Sequence, residues 1–491
     1  MVMNGSLKCP EGEKVQLRRE IGLLNAINLI LNLIIGSGIF VTPGVVLSQS
    51  GSLGMSLVVW LICGLISMLG ALGFAELSTV VPKSGGSYLY FQTAFKDLHP
   101  FLGPLPGFIF MWIILMIVVP ACLAILSILF ADHVYEPFRP SFSKEFHSDY
   151  ESSIKTVIGA ATLLTVGVIN YASVKLYLKT QDFISYLKLF GCVYIIFGGL
   201  YVFAFGNPIK ADFGFEGTNL SLQSLAIVFY GGLYSYDGWS WVTGVTEEIK
   251  NPEKNVIRSI LAGLVVVTLL FIGMNVAYTT ALTVEEIVSG TAVAVEFGDR
   301  VFGPGKIVIS VAVALSALGA ALSMIFYASR LGYVAAREGH MWEFMCYIHR
   351  RRLTPAPAVI LQVVLGLCYF FLGRGIETLI NIYTFLMWIF YGLTMVTVFV
   401  LRYRMPAANR PYKVPLAIPV VIIILSVCLA VIPVFTQPPM QYIISLLLTG
   451  LGVLVYYPFV YKRNRLPGLN KCQQVLQSWM DVVPAEEEPP L

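Results

Sequence analysis

Apolar runs of about 20 residues, the length that carries a helix across a bilayer, recur from residue 21 to residue 461, separated by short polar stretches. The pattern predicts twelve spans, at approximately 21–47, 54–78, 103–131, 154–173, 182–205, 222–247, 257–281, 304–333, 356–374, 378–401, 415–436 and 440–461. The reading is an all-α polytopic membrane protein with three parts. Residues 1–20 form a cytoplasmic N-terminal segment, 21–461 a twelve-helix membrane domain and 462–491 a cytoplasmic tail. Two polar interruptions are long enough to be ordered surface features. One is Pro82-Lys83-Ser84-Gly85-Gly86 with the aromatic stretch Tyr88 to Phe95. The other, Leu282 to Arg300, reads as an external helix lying across the surface.

Composition agrees with the pattern. The 491 residues are 57% hydrophobic and 12% charged, against about 25% charged in soluble domains. Mean hydropathy is +0.77. The polar stretch Met1 to Glu20 does not read as a cleaved signal peptide. Most of the 32 Lys and Arg residues fall on the side that carries both termini, which the positive-inside rule makes the cytoplasm. The clusters Arg350-Arg351-Arg352 and Lys462-Arg463 read as topological anchors, not as nucleic-acid sites. The eight cysteines form no CxxC or Cys/His pattern, so neither a metal site nor a disulfide scaffold is expected. His99, His133, His147, His340 and His349 lie outside the spans, and no cofactor or catalytic cluster is indicated. Asn219-Leu220-Ser221 is a sequon on the expected outer side, abutting the sixth span.

Two spans are interrupted at their middles. The first carries Ile34-Ile35-Gly36-Ser37-Gly38-Ile39-Phe40, and the sixth carries Gly231-Gly232-Leu233-Tyr234-Ser235-Tyr236-Asp237-Gly238-Trp239. Glycine costs about 1 kcal/mol against alanine inside a helix, and freed backbone groups at that depth survive only beside a cavity or a partner. A small-residue packing seam would explain one break alone. Two broken helices, each opening a set of five spans, are the pattern of an inverted-repeat transporter with a midplane site. N–H groups around Ser37 and Gly38 would take a carboxylate, and carbonyls near Ile34 and Tyr234 an ammonium. Together these ends describe the backbone of an α-amino acid, with Ile35 and Gly36 in the same segment.

Two ionisable residues lie deep in the apolar pattern. Lys188, in the fifth span, would cost about 2.5–3.5 kcal/mol unpaired, and it sits far from either end for snorkelling. It is expected to have an internal partner. Asp237, in the second break, either meets a cationic substrate side chain or caps the second half-helix. Ser240 is a candidate pocket hydroxyl, with helix packing as the alternative.

With Gly36-Ser37-Gly38-Ile39-Phe40, Tyr236-Asp237-Gly238-Trp239 and Thr246-Glu247-Glu248-Ile249-Lys250-Asn251-Pro252, the chain resembles the light subunits of heteromeric amino acid transporters. These belong to the amino acid–polyamine–organocation superfamily. Arg330-Leu331-Gly332-Tyr333-Val334-Ala335, Arg337-Glu338-Gly339-His340 and Leu353-Thr354-Pro355-Ala356-Pro357-Ala358 carry the same likeness. It runs from about Val15 to the C-terminus. Asp237, the Thr-Pro-Ala-Pro-Ala run and the tail Val482-Val483-Pro484-Ala485-Glu486-Glu487 resemble the exchangers of neutral and basic amino acids and cystine.

The resemblance implies a LeuT-like fold of five plus five inverted spans with two further C-terminal spans. It implies sodium-independent exchange of amino acids across the plasma membrane by alternating access. It assigns the carboxylate to Ser37 and Gly38 and the amine to the carbonyls of Ile34, Tyr234 and Asp237. Tyr234 becomes an aromatic gate, and Lys188 stands in for the sodium ion that joins the first and eighth spans in sodium-coupled relatives.

Three departures stand out. Asn32-Leu33 replaces the usual Gly-Thr before Ile34. Val119, not a basic residue, precedes Pro120 in the third span, which argues against anionic substrates. The outer loop Ala131 to Ser153 lacks the cysteine that links relatives to a glycoprotein heavy subunit, so the chain either works alone or binds such a subunit non-covalently. The competing readings are an exchanger or facilitator of large neutral or aromatic amino acids, with Asp237 purely structural, and an amino acid sensor without flux. A sodium symporter is disfavoured by Lys188. A channel or membrane enzyme lacks the polar pore or catalytic cluster it would require.

Overall fold

The computed structural model describes residues 19–36, 38–141, 144–206, 208–209, 213–290, 293–372, 376–436, 440–464, 477 and 480–484. In chain order the helices are α1 (Leu23–Ile34), α2 (Gly38–Ser50), α3 (Leu53–Val80), α4 (Ser87–Phe95), α5 (Leu105–Ile113), α6 (Val119–Tyr135), α7 (Lys144–Ala172), α8 (Val174–Phe205) and α9 (Leu222–Ser235). There follow α10 (Pro252–Ala281), α11 (Val284–Ser289), α12 (Val293–Phe302), α13 (Lys306–Arg337), α14 (Ala356–Leu372), α15 (Ile376–Arg404), α16 (Ala417–Thr436) and α17 (Met440–Tyr456). Among the described residues nine helical stretches are long and apolar enough to cross a membrane, and α1 and α14 are shorter apolar helices.

The third span is not a plain α-helix. A π turn at Ile114–Val118 joins α5 to α6, just before Pro120, whose missing N–H and ring displace the regular ladder. Both mid-span breaks predicted from the glycines are present. Ile35 leaves helical geometry at ψ 69°, and Gly238 turns the chain at φ +114°. Beyond the second break the backbone continues as a 3-10 helix, Trp241–Glu248.

The two surface features differ from expectation. The aromatic stretch after Gly86 forms α4, but Tyr88, Tyr90 and Phe91 are fully buried. It is held inward because Gly85 N–H donates to the Gly244 carbonyl at 3.0 Å, and Ser84 and Glu247 exchange two 3.0 Å hydrogen bonds. The Leu282–Arg300 region is two helices instead of one. Thr283 and Glu286 form a capping box that starts α11, and Glu286 pairs with Arg300 on α12. Pairing with Arg300 and with the Thr283 N–H holds the half-buried Glu286 carboxyl down at about 2. One feature lies outside the helical expectation altogether. Tyr347–His349 pairs antiparallel with Val482–Pro484, laying the end of the tail against the loop after α13.

Candidate functional site

The two breaks meet. Gly38, at the start of α2, lies so close to the end of α9 that a Cβ there would fall 2.8 Å from Ser235 Cα. Gly238 approaches α1 as closely: an added Cβ would lie 2.7 Å from Leu33 Cβ, at a positive φ that side chains avoid. Thr42 Oγ1 donates to the Gly38 carbonyl at 3.0 Å and shares a 2.7 Å hydrogen bond with Ser235 Oγ. The helix interruptions therefore serve one place, where two chain segments pack backbone to backbone.

A cavity of about 40 Å3 lies at this junction. Of the residues singled out in the sequence, Ile34, Gly36, Gly38, Tyr234 and Asp237 line it. Ser37 lies outside the described residues. Ile35 is fully buried and does not line the cavity; its carbonyl accepts from Lys188. Ser240 also lies off the cavity lining, with its hydroxyl 3.2 Å from that of Tyr391. Val119 is fully buried and away from the lining.

The backbone chemistry is that of two opposed helix ends. The N–H groups of the first turn of α2 have no acceptor within their own helix and carry its positive dipole end. The Ile34 carbonyl accepts Gly36 N–H at 2.8 Å, and the Tyr234 carbonyl accepts Asp237 N–H at 3.2 Å. Ile34 lines the cavity, and its carbonyl oxygen has a second lone pair; the Tyr234 carbonyl also accepts the Tyr236 N–H. The arrangement offers donors to an anion and acceptors to a cation across one small space.

Asp237 has three donors among the described residues. Gly238 N–H reaches Oδ1 at 2.6 Å, the Tyr391 hydroxyl also donates to Oδ1, and the Tyr383 hydroxyl donates to Oδ2. Tyr383 lines the cavity with Asp237 and packs edge-on against Tyr234, their ring centroids 5.8 Å apart. Tyr391 is behind the cavity, stacked on Trp239 at 5.0 Å and edge-on to Phe74 at 5.9 Å.

Lys188 is buried on α8, and its ammonium donates to the carbonyls of Asn32 at 3.0 Å and Ile35 at 2.8 Å. Those carbonyls end α1 at the first break. α13 closes the other side: a Cβ on Gly319 would lie 2.4 Å from Asn32 Oδ1 and 3.0 Å from Lys188 Cε. Asn25, Asn28 and Asn32 extend this polar seam along one face of α1. Asn25 and Asn28 each donate to Asp182, at 2.6 and 2.7 Å, and Asn32 donates to the Gln181 carbonyl at 3.0 Å.

Sequence reasoning missed Cys122, Ile125 and Leu126 on α6, Trp241 on the 3-10 segment, Ala320 and Met324 on α13, and Tyr383 on α15. Each sits in an ordinary apolar run, so the linear pattern carries no mark of the pocket. Among the described residues no group of three or more His, Cys, Asp or Glu is placed to hold a metal ion.

Comparison with known proteins extends over nearly the whole chain. The Amino acid permease profile matches residues 21–454. Human b(0,+)-type amino acid transporter 1 is 39% identical over 486 residues, covering 99% of this chain and 97% of the relative. The human cystine/glutamate transporter is 37% identical over 488 residues, covering 99% and 94%. The mouse large neutral amino acids transporter small subunit 2 is 34% identical over 473 residues, covering 94% and 86%. These matches, together with long apolar helices and two helix ends opposed across a cavity, make the chain a multi-pass membrane transporter of amino acids, not an enzyme, and it belongs to the amino acid permease family.

Proposed function

We propose that this protein exchanges neutral and basic L-amino acids across the plasma membrane, without sodium, by alternating access. The observation that carries the reading is the Lys188 ammonium bound to the two carbonyls that end α1. A fixed cation there supplies the charge that a bound sodium ion would supply. Backbone N–H groups around Ser37 and Gly38 bind the substrate carboxylate, and carbonyls of Ile34, Tyr234 and Asp237 bind its amine. Tyr234 gates the pocket, and the Asp237 carboxylate faces the substrate side chain. The architecture is twelve spans, five plus five inverted and two more, with both termini in the cytoplasm. A heavy subunit, where one is used, is held without a disulfide.

A second reading is favoured by the three donors on Asp237. A carboxylate so engaged has less left for a substrate cation, which suits large neutral or aromatic side chains. Uptake of labelled arginine, leucine and tyrosine into proteoliposomes, with and without internal amino acid, tests both. Exchange that persists in choline and carries arginine supports the first reading. Exchange restricted to leucine and tyrosine supports the second, and a strict sodium requirement overturns both.

A further inference from the structure

We infer that Tyr383 sets the balance between basic and neutral substrates by competing with them for Asp237. This rests on the reading of the cavity as the substrate site. A carboxylate has about four acceptor positions, and three donors already take three of those of Asp237: Gly238 N–H and Tyr391 at Oδ1, and Tyr383 at Oδ2. These donors are not equivalent. Gly238 is the next residue in the chain and cannot leave. Tyr391 is fixed by aromatic neighbours, stacked on Trp239 with Phe74 and Trp388 edge-on. Its hydroxyl also pairs with Ser240.

Tyr383 differs in position. Tyr383 and Tyr391 are eight residues apart on α15, a rise of about 12 Å, so the rings reach Asp237 from opposite sides along the helix. Tyr383 is the one whose ring lines the cavity, and it packs against Tyr234, the proposed gate. A guanidinium or ammonium reaching Oδ2 of Asp237 from the cavity competes with the Tyr383 hydroxyl, which already takes one of its two lone pairs and lies on the cavity side. A neutral side chain leaves that bond in place and rests against the ring. The hydroxyl thus penalises cationic substrates selectively, and its displacement moves the ring that touches the gate. Tyr383 is in this sense a specificity residue acting through Asp237.

The test measures kcat/KM for arginine and leucine exchange in proteoliposomes for the unaltered chain, Tyr383→Phe, Asp237→Asn and the double variant. The hydrogen bond that Tyr383 gives Asp237 is one to a charged group, the stronger kind. Loss of the competing hydroxyl should accordingly raise the arginine-to-leucine ratio about tenfold, chiefly through a lower KM for arginine. In the Asp237→Asn background the same change should leave the ratio where Asp237→Asn alone puts it. An unchanged ratio in Tyr383→Phe, or an equal rise in both backgrounds, overturns the inference. Should Tyr383→Phe fail to reach the membrane, Tyr383→Leu lacks the same hydroxyl and carries the same expectation. If Asp237→Asn lowers the ratio while neither Tyr383 variant raises it, the substrate-site reading stands and the role of Tyr383 falls. If Asp237→Asn leaves the ratio untouched, Asp237 does not face the substrate side chain and the role of Tyr383 falls with it.

Discussion

Lys188 Nζ lies 2.8 Å from the Ile35 carbonyl and 3.0 Å from the Asn32 carbonyl, so a charge on α8 ties down the end of α1 beside the first helix break. The carbonyls it holds are those a helix end leaves without intrahelical donors. An ammonium donates three hydrogen bonds and accepts none, which suits it to this place. The contact joins α8 to α1, which carries the Ile34 carbonyl proposed for the substrate amine, and Gly319 of α13 closes on both.

Removing that ammonium should affect movement more than production. Lys188→Ala takes away two charge-assisted hydrogen bonds of about 1.5–3 kcal/mol each and leaves the end of α1 without its fixed cation. Turnover is expected to fall by about tenfold or more, with surface amount reduced much less. Initial exchange rates normalised to surface-biotinylated protein check this. A loss of rate wholly accounted for by lost surface protein would assign Lys188 to folding alone.

Asp237 should discriminate among side chains. Opposite charges about 4 Å apart at an effective dielectric near 20 attract by about 4 kcal/mol before desolvation is subtracted. A net advantage on the order of 1–2 kcal/mol is expected for basic substrates, about tenfold. Asp237→Asn is expected to reduce arginine and lysine exchange about tenfold more than leucine exchange at matched surface amount. Equal losses would show that the carboxylate only holds the helix break, through its bonds to Gly238, Tyr383 and Tyr391.

No disulfide-linked heterodimer is expected, because the stretch from Ala131 to Ser153, proposed above to face outward, contains no cysteine. Cys63, Cys122 and Cys192 are buried, and none of the six cysteines among the described residues is in a disulfide. On a non-reducing gel, the chain expressed with a candidate heavy subunit should run at its own mass. A larger band that collapses with reductant, and disappears when one cysteine is replaced, would contradict the prediction and identify the linking residue.

His340, just past the end of α13, gives the protein a pH dependence of defined sign. The ring is buried, its Nδ1 is 3.0 Å from the Tyr88 hydroxyl, and burial pushes its pKa down from 6.5 to about 4. The folded-state value is the lower one, so the unfolded chain binds the proton more readily between these limits. The contribution of the neutral ring is complete above pH 6.5, declines as pH falls toward 4 and is flat below that. Its size is on the order of 3 kcal/mol. The Tm of the detergent-purified protein should therefore drop between pH 7 and pH 5, and His340→Phe should lessen that drop. The same slope in both proteins would place the acid sensitivity elsewhere.

The linear pattern was enough to establish a polytopic helical membrane protein with two spans broken at their middles. Membrane physics makes both signals strong: long apolar runs have no other stable use, and glycines at bilayer depth weaken a helix unless its freed backbone is needed. Lys188 was legible for the same reason, since an ammonium in that run demands a partner. Which partner was not legible. The Asn32 and Ile35 carbonyls lie more than 150 residues away in sequence, and only packing brings α8 beside α1. The pocket's further walls, among them Cys122, Trp241, Met324 and Tyr383, look like lipid-facing or core residues in the chain. Their apolar character suits either place, so composition cannot distinguish them. The burial of α4 and the division of the Leu282–Arg300 region likewise depended on partners remote in sequence or on local caps that hydropathy does not weigh. The state of Asp237 was the most consequential of these decisions. Sequence placed a carboxylate at the second break, but the two tyrosines of α15 that occupy it are brought there by tertiary structure alone, because hydrogen bonds between distant helices leave no periodic trace in either one.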